Sequence, residues 1–445
     1  MADPWGERMP RSVSLLQTVG VSVGITIGSG IFRVPATVAA QLQTPGMMLA
    51  CWVLGGIVAL CGALTIAELA GSLPRSGGIF AYLLESYGPL PAFLFGWTEL
   101  IVIRAAALGA IATIFAEYLG YFLPLSAGQV RDTAAAAIVL VGVINYIGVQ
   151  RAARVLAAAT ALKYAVLLAL GLLAFTASGA SAGHLQSTAP APVAISLLAT
   201  ALIPVMWTYD GWADATAVAG EISNPQRNLP LALIAGAACI MLVYLIVNVG
   251  FLHALTPGEM AGSKLVAASV AARIPLLHAG GAALIAAAVV ISAFSSLHAS
   301  MLTGSRIFFA MGDRDLLFRI VARVSPRFST PSVAILMATA LGVAYVLQND
   351  FAQLADKFIL GIWPFYALTV AAVFVLRRRL PALPRPYRVW GYPLVPLVFL
   401  AASAFMVLNA LLTNPHDTGI TFIIILTGVP VFWLRALHTA RAGRA

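Results

Sequence analysis

The sequence predicts an all-α membrane protein of about twelve transmembrane helices, ten of them in two inverted repeats of five and two outside the repeat. Three observations predict it. Apolar residues make up 61% of the 445-residue chain and charged residues 9%, where a soluble globular domain carries about a quarter charged. Apolar windows of roughly 20 residues, enough to cross the hydrocarbon core, recur along nearly the whole length. Two of those windows are interrupted in the middle by residues that break helices, and they lie five windows apart.

The first window, 13–41, contains GITIGSGIFRVP with Gly28, Ser29 and Gly30 at its centre. A bilayer demands satisfied backbone groups, so helix-breaking residues at mid-depth are tolerated only where backbone lines a cavity or is buried in protein. In secondary transporters a broken helix of this kind holds a small polar solute at the midplane. Windows 46–72, 90–122, 131–148 and 153–178 complete a first repeat over about 13–178. The connection LPRSGGIFAYLLESYG, residues 73–88, reads as a short amphipathic helix beside the bundle. Window 193–220 places Asp210 and Gly211 at mid-depth and opens a second repeat, 193–380, continued by 230–255, 281–311, 331–348 and 355–380. Repeats with an odd number of spans run in opposite directions, which sets the two breaks facing each other. Residues 256–280 are too polar for a span and read as helices over the outer vestibule. Residues 377–396 mix arginine with several prolines, an extended linker that cannot be helical throughout. Windows 393–412 and 419–437 stand outside the repeat. The expected organisation is one membrane domain over 13–437 with cytoplasmic tails at 1–12 and 438–445.

The net charge of +10 is distributed by topology. Arginines fall in alternate connections: Arg8 and Arg11, Arg75, Arg151 and Arg154, Arg227, Arg314 to Arg327, Arg377 to Arg388, and Arg435 to Arg444. The intervening loops hold only Arg131, Lys264 and Arg273. This positive-inside pattern places both termini in the cytoplasm of a cell with the protein in its inner (plasma) membrane. The excess charge meets anionic lipid rather than nucleic acid. Residues 1–12 are short and polar and carry no cleavable signal. Cys51, Cys61 and Cys239 all fall inside windows; Cys51 and Cys61 stand about 15 Å apart along one helix, too far to bridge. All three read as small packing residues. No nucleophile elbow, phosphate loop or metal cluster is present, and His253 and His298 lack metal-ligand spacing. The expectation is a non-enzyme that needs no cofactor or metal.

The residues at the breaks carry the chemistry. Gly28 and Gly30 suit either a close helix contact or an unwound segment. If unwound, the amides of Ser29 and Gly30 lie at the positive end of the following half-helix and receive a carboxylate. Carbonyls left at the end of the preceding half, around Thr26, favour an ammonium. Carboxylate plus ammonium is an amino-acid backbone. Asp210 reads as a counter-ion for a cationic group, as a partner for Arg33, or as a cap for the second half of the sixth helix. Trp207 is a lid over the solute or an interface aromatic. Lys163 lies near mid-bilayer, as a cation in place of bound sodium, a proton carrier, or part of a fixed network. Glu68, Glu99, Arg104 and Glu117 pair with one another or line a route. His298 lines a pocket or is a satisfied packing histidine.

Several separated motifs resemble the amino acid–polyamine–organocation superfamily, in particular the bacterial relatives of L-type amino acid transporters. They are GITIGSGIF at 24–32, AELAGSLPRSGGIFAYL at 67–83, VINYIGVQ at 143–150, TYDGWADATAVAGEISNPQRNLP at 208–230, SMLTGSRIFFAMGDRDLL at 300–317 and LPRPYRVWGYP at 383–393. The resemblance implies a LeuT-like fold with broken helices 1 and 6 and alternating access. It implies that Ser29 and Gly30 hold a substrate carboxylate, that carbonyls of Thr26, Trp207, Thr208 and Asp210 hold the amine, and that Trp207 is a gating aromatic. It also implies that Lys163 takes a sodium-like position. The function so implied is sodium-independent transport of neutral L-amino acids, as exchanger or proton symporter. Eukaryotic members of this branch join a glycoprotein through a cysteine after the third span. The loop around Pro124 to Val130 has none, so no disulfide-linked heavy subunit is expected. Arg33, His298 and Gly220 depart from the family's usual residues. Rival readings are a carrier of cationic amino acids or polyamines with Asp210 as counter-ion, and a non-transporting amino-acid sensor. A membrane enzyme using His298 or His253 lacks an acid or nucleophile partner.

Overall fold

The computed structural model describes residues 11, 13–75, 77–147, 164–186, 195–313, 317–328 and 330–442. Among them the chain is helical, and its one β-type contact is an isolated parallel bridge between Val13 and Ile222. Eight helices are long and apolar enough to cross a membrane, and four shorter apolar helices accompany them. Each overlaps one of the windows expected above, and several begin a few residues earlier, at a proline.

The first window folds as two short helices, α1 (Leu15–Thr26) and α2 (Val34–Leu42). A capping box starts α1: Ser14 Oγ accepts from the Gln17 amide while the Gln17 side chain accepts from the Ser14 amide, so two of the helix's orphan donors are satisfied. Proline at the first position opens α3 (Pro45–Ser72). The expected connecting helix is α4 (Ile79–Tyr87), and α5 (Pro89–Leu119) follows. Within α5 a π-helical turn spans Glu99–Ile103, a feature the sequence did not announce. Next come α6 (Ala127–Ile147) and α7 (Tyr164–Thr176).

The second broken window begins with α8 (Ile195–Tyr209). Its other half is not an α-helix as expected but a 3-10 stretch, Asp214–Glu221. The tighter winding follows from Gly211, which takes φ +108, and from Thr216, whose hydroxyl donates to the Ala213 carbonyl at 2.6 Å; side-chain bonds of this kind compete with the regular ladder. The long helix α9 (Pro225–Ala254) lies along α3, and α1 packs on α9 as well.

Residues 256–280 form the short helices α10 (Pro257–Ala261) and α11 (Val266–Ala271) and a 3-10 turn. Glu259 caps α10 through Thr256 and pairs with Arg273. The Arg273 guanidinium and the Thr256 amide hold its carboxyl down at about 2. Beyond lie α12 (Gly281–Asp313), α13 (Ser332–Gln348) and α14 (Phe351–Arg379). The last helices are α15 (Leu394–Thr413), α16 (Pro415–Leu426) and α17 (Gly428–Ala442).

The linker after α14 is pinned rather than loose. Buried Glu68 of α3 accepts from Arg377 Nε at 2.9 Å and from the Val389 amide at 2.7 Å, with Arg385 Nε 3.5 Å away. Arg377 also lies 3.8 Å over the Tyr392 ring. Glu68 therefore pairs with arginines distant in sequence. Of the other charged residues singled out with it, Glu99 pairs with Arg104 and Glu117 with Arg33. Cys51 and Cys61 are buried free thiols, but Cys239 is exposed on α9 and does not pack as expected.

Candidate functional site

The two breaks touch. The ladder of α1 ends where the Ile27 amide donates to Val23 O at 2.9 Å, and the Gly28 amide turns back to Thr26 O at 2.7 Å. A short 3-10 turn, Gly30–Phe32, precedes α2, and the first amides of such a turn have no acceptor inside it. Gly30 faces the end of α8. A Cβ built on it would stand 2.7 Å from Trp207 Cζ3 and 3.0 Å from Thr208 Oγ1. Glycine is required here by close approach. Ser29 is buried, and its hydroxyl has no partner among the described residues; a buried polar group left so is uncommon and points to something that binds it.

Tyr244, on α9, ties the breaks together. Its hydroxyl lies 3.0 Å from Thr26 O and 3.0 Å from Thr208 O. Those are two of the carbonyls that the resemblance assigned to a substrate amine, and they share the single proton of this hydroxyl. Tyr244 is fully buried and packs edge-on or tilted against Trp52 and Tyr209, with ring centroids 5.8 and 5.1 Å away. Sequence reading passed over it as one more aromatic in an apolar span. Nothing local marks it, because its partners lie 218 and 36 residues away.

Trp207 is half-buried, over Gly30 and edge-on to Phe351 at 5.3 Å. Arg33 covers the other part of this layer, with its guanidinium 5.3 Å from the Phe351 ring. Arg33 does not partner Asp210. Its Nε donates to Glu117 at 2.9 Å and its NH1 to Thr37 at 3.2 Å. Asp210 instead accepts from the Tyr366 hydroxyl of α14 at 2.8 Å. Its carboxylate also accepts from the Gly211 amide, while the 3-10 stretch itself starts after Ala213 without a side-chain cap. Gly211 supplies the left-handed backbone that turns the chain there.

His298 Nδ1 meets the side-chain amide of Asn145 at 3.0 Å, across the contact of α12 with α6. Near it on α12, Ser300 accepts from Arg104 at 2.9 Å, next to the Glu99–Arg104 pair at the π-helical turn. Lys163 lies outside the described residues. Among those residues no group of three His, Cys, Asp or Glu side chains is placed to hold a metal ion.

A helical bundle of membrane-crossing length, with two interrupted helices in contact at their breaks, defines a multi-pass membrane carrier. Comparison with known proteins gives the particular family. Residues 13–432 match the amino acid permease family. The serine/threonine exchanger SteT of Bacillus subtilis (strain 168) is 30% identical over 427 residues, 96% of this chain and 97% of its own. The human b(0,+)-type amino acid transporter 1 is 29% identical over 443 residues, 98% of this chain and 90% of its own. The human cystine/glutamate transporter is 30% identical over 435 residues, 96% and 85% respectively. The chain belongs to the amino acid permease family of the amino acid–polyamine–organocation superfamily and is an amino acid transporter.

Proposed function

We propose that the protein carries neutral L-amino acids without sodium, by alternating access around the paired breaks, as an exchanger or a proton symporter. The observation that carries this reading is the junction of Ser29, Gly30 and Trp207. A buried hydroxyl without a partner among the described residues, Ser29, adjoins a helix start without a side chain, Gly30, which lies against a half-buried aromatic ring. A carboxylate suits the amides and the hydroxyl; an aromatic ring suits the role of cover. Sodium independence rests on Lys163 through the family resemblance. In this reading the chain adopts the five-plus-five arrangement with two additional helices and sits in the inner membrane, both termini cytoplasmic. It works without a disulfide-linked heavy subunit.

A second reading has its own observation. Because Arg33 is engaged by Glu117, Asp210 is left with neutral donors, the Tyr366 hydroxyl and the Gly211 amide, and has the Asp214 carboxyl nearby. A carboxylate in that state attracts a cationic substrate side chain or a polyamine. Proteoliposome uptake of labelled amino acids separates the readings. It is run in sodium-free buffer at two external pH values, with and without internal amino acid. Uptake that needs internal amino acid establishes exchange, and uptake into empty vesicles that rises on external acidification establishes proton coupling. Competition by arginine or putrescine stronger than by neutral amino acids favours the cationic reading. Binding without flux in any condition leaves a sensor.

A further inference from the structure

Away from the breaks, at the end of the bundle where α13 hands over to α14 and α15 to α16, lies a cavity of about 240 Å³. Its wall combines charged and polar groups with the apolar Ile203, Leu360 and Ala410. Asp356 and Lys357 of α14 and Asp417 of α16 line it, together with Thr413, and with Thr200 and Ile203 of α8. Asp356 and Lys357 are partly buried, and neither makes a hydrogen bond or an ion pair within 4 Å with another described residue. Lys357 nevertheless stands within electrostatic reach of both carboxylates. Asp417 is held in place by the Asn414 side chain at 3.1 Å. Partly buried ionisable side chains such as Asp356 and Lys357 are costly unless something meets them. The volume is below that of sites for drug-sized ligands, about 300–1,000 Å³, and suits a small solute.

We propose that this cavity is a second binding site, separate from the breaks, for a small zwitterion of the free amino-acid type. The occupant's ammonium is matched by Asp356 and Asp417 and its carboxylate by Lys357, with Thr413 on the rim. The site reaches the breaks through α8. Pro204 lies inside α8 and lacks the N–H that would bond the Thr200 carbonyl, so the helix is weakened at that turn. Thr200 and Ile203 form the cavity wall on this turn, and Trp207 follows directly after it. An occupant braces the weakened turn and thereby biases the position of Trp207 over Gly30.

The test is independent of the transport reading. Thr413→Cys is introduced with Cys239→Ser, since Cys239 is the exposed native thiol, and labelled with a hydrophilic maleimide in lipid nanodiscs. Millimolar L-serine is the probe. The expected result is a severalfold slowing of labelling by serine, retained when Gly30→Val closes the break site and lost in Asp356→Asn or Lys357→Gln. No slowing in any background overturns the proposal. So does slowing that needs an intact Gly30, because the effect then originates at the breaks. A labelling rate that answers to the lipid composition of the disc and not to serine assigns the cavity to lipid and also overturns it. Should Gly30→Val fail to fold, saturable binding of labelled serine is compared between the otherwise native chain and Lys357→Gln. Loss of one site per chain supports the proposal, and equal stoichiometry overturns it.

Discussion

Gly30→Val tests the break site most directly. A Cβ at Gly30 meets Trp207 Cζ3 at 2.7 Å, whereas carbon pairs settle at about 3.5–4.0 Å. The ring must therefore retreat by roughly an ångström before the two γ carbons of valine are accommodated. Overpacking of this size costs typically about 1–3 kcal/mol. If the cost falls on the substrate-bound arrangement, apparent affinity drops about 5–150-fold. Gly30→Ala should fall between wild type and valine. The assay is concentration-dependent uptake into proteoliposomes, with expression and monodispersity matched across variants. Trp207→Ala removes the colliding ring, so Gly30→Ala combined with Trp207→Ala should lose less affinity than the two single changes summed, a coupling of neighbours in a double-mutant cycle. Unchanged affinity in both Gly30 variants, or strict additivity with Trp207→Ala, would refute the idea that these groups meet at the substrate.

Tyr244→Phe removes the hydroxyl shared by Thr26 and Thr208; the expected loss is about 0.5–1.5 kcal/mol of thermal stability together with a changed exchange rate, and wild-type values of both would reduce Tyr244 to packing. Asp210→Asn retains an acceptor for Tyr366 and should leave neutral uptake within a few-fold while abolishing any inhibition by arginine; loss of neutral uptake would instead make the carboxylate essential. Lys163→Ala should abolish transport or its pH dependence, and retention of both would remove Lys163 from coupling. The Glu259–Arg273 contact has its own pH signature. The Glu259 carboxyl is lowered from an ordinary 4.5 to about 2, so its stabilisation is present above the ordinary value and is lost as pH falls through that interval. Hydrogen exchange over 256–273 should rise on acidification across that window, and Glu259→Gln should flatten the response.

The helical membrane class was written in composition and in apolar windows, because the bilayer imposes a length and a polarity that any single segment must meet by itself. The breaks at Gly28 to Gly30 and at Asp210 and Gly211 were legible for the same reason: glycine and aspartate at mid-depth are local violations of that requirement. Which groups answer those breaks was not legible. Asp210 met Tyr366 instead of Arg33, and Arg33 met Glu117, 84 residues away. Tyr244 came from a third helix to take two carbonyls, and Glu68 was claimed by a linker more than three hundred residues further on. A span's periodicity says which residues lie within the membrane, but side-chain pairing depends on the rotation and height of helices that are neighbours only after folding. The sequence by itself therefore determined the class of protein and the location of the interruptions. Tertiary structure decided which side chains close around them, because in an apolar solvent each buried polar group takes whichever partner the packed bundle brings within 3 Å or so.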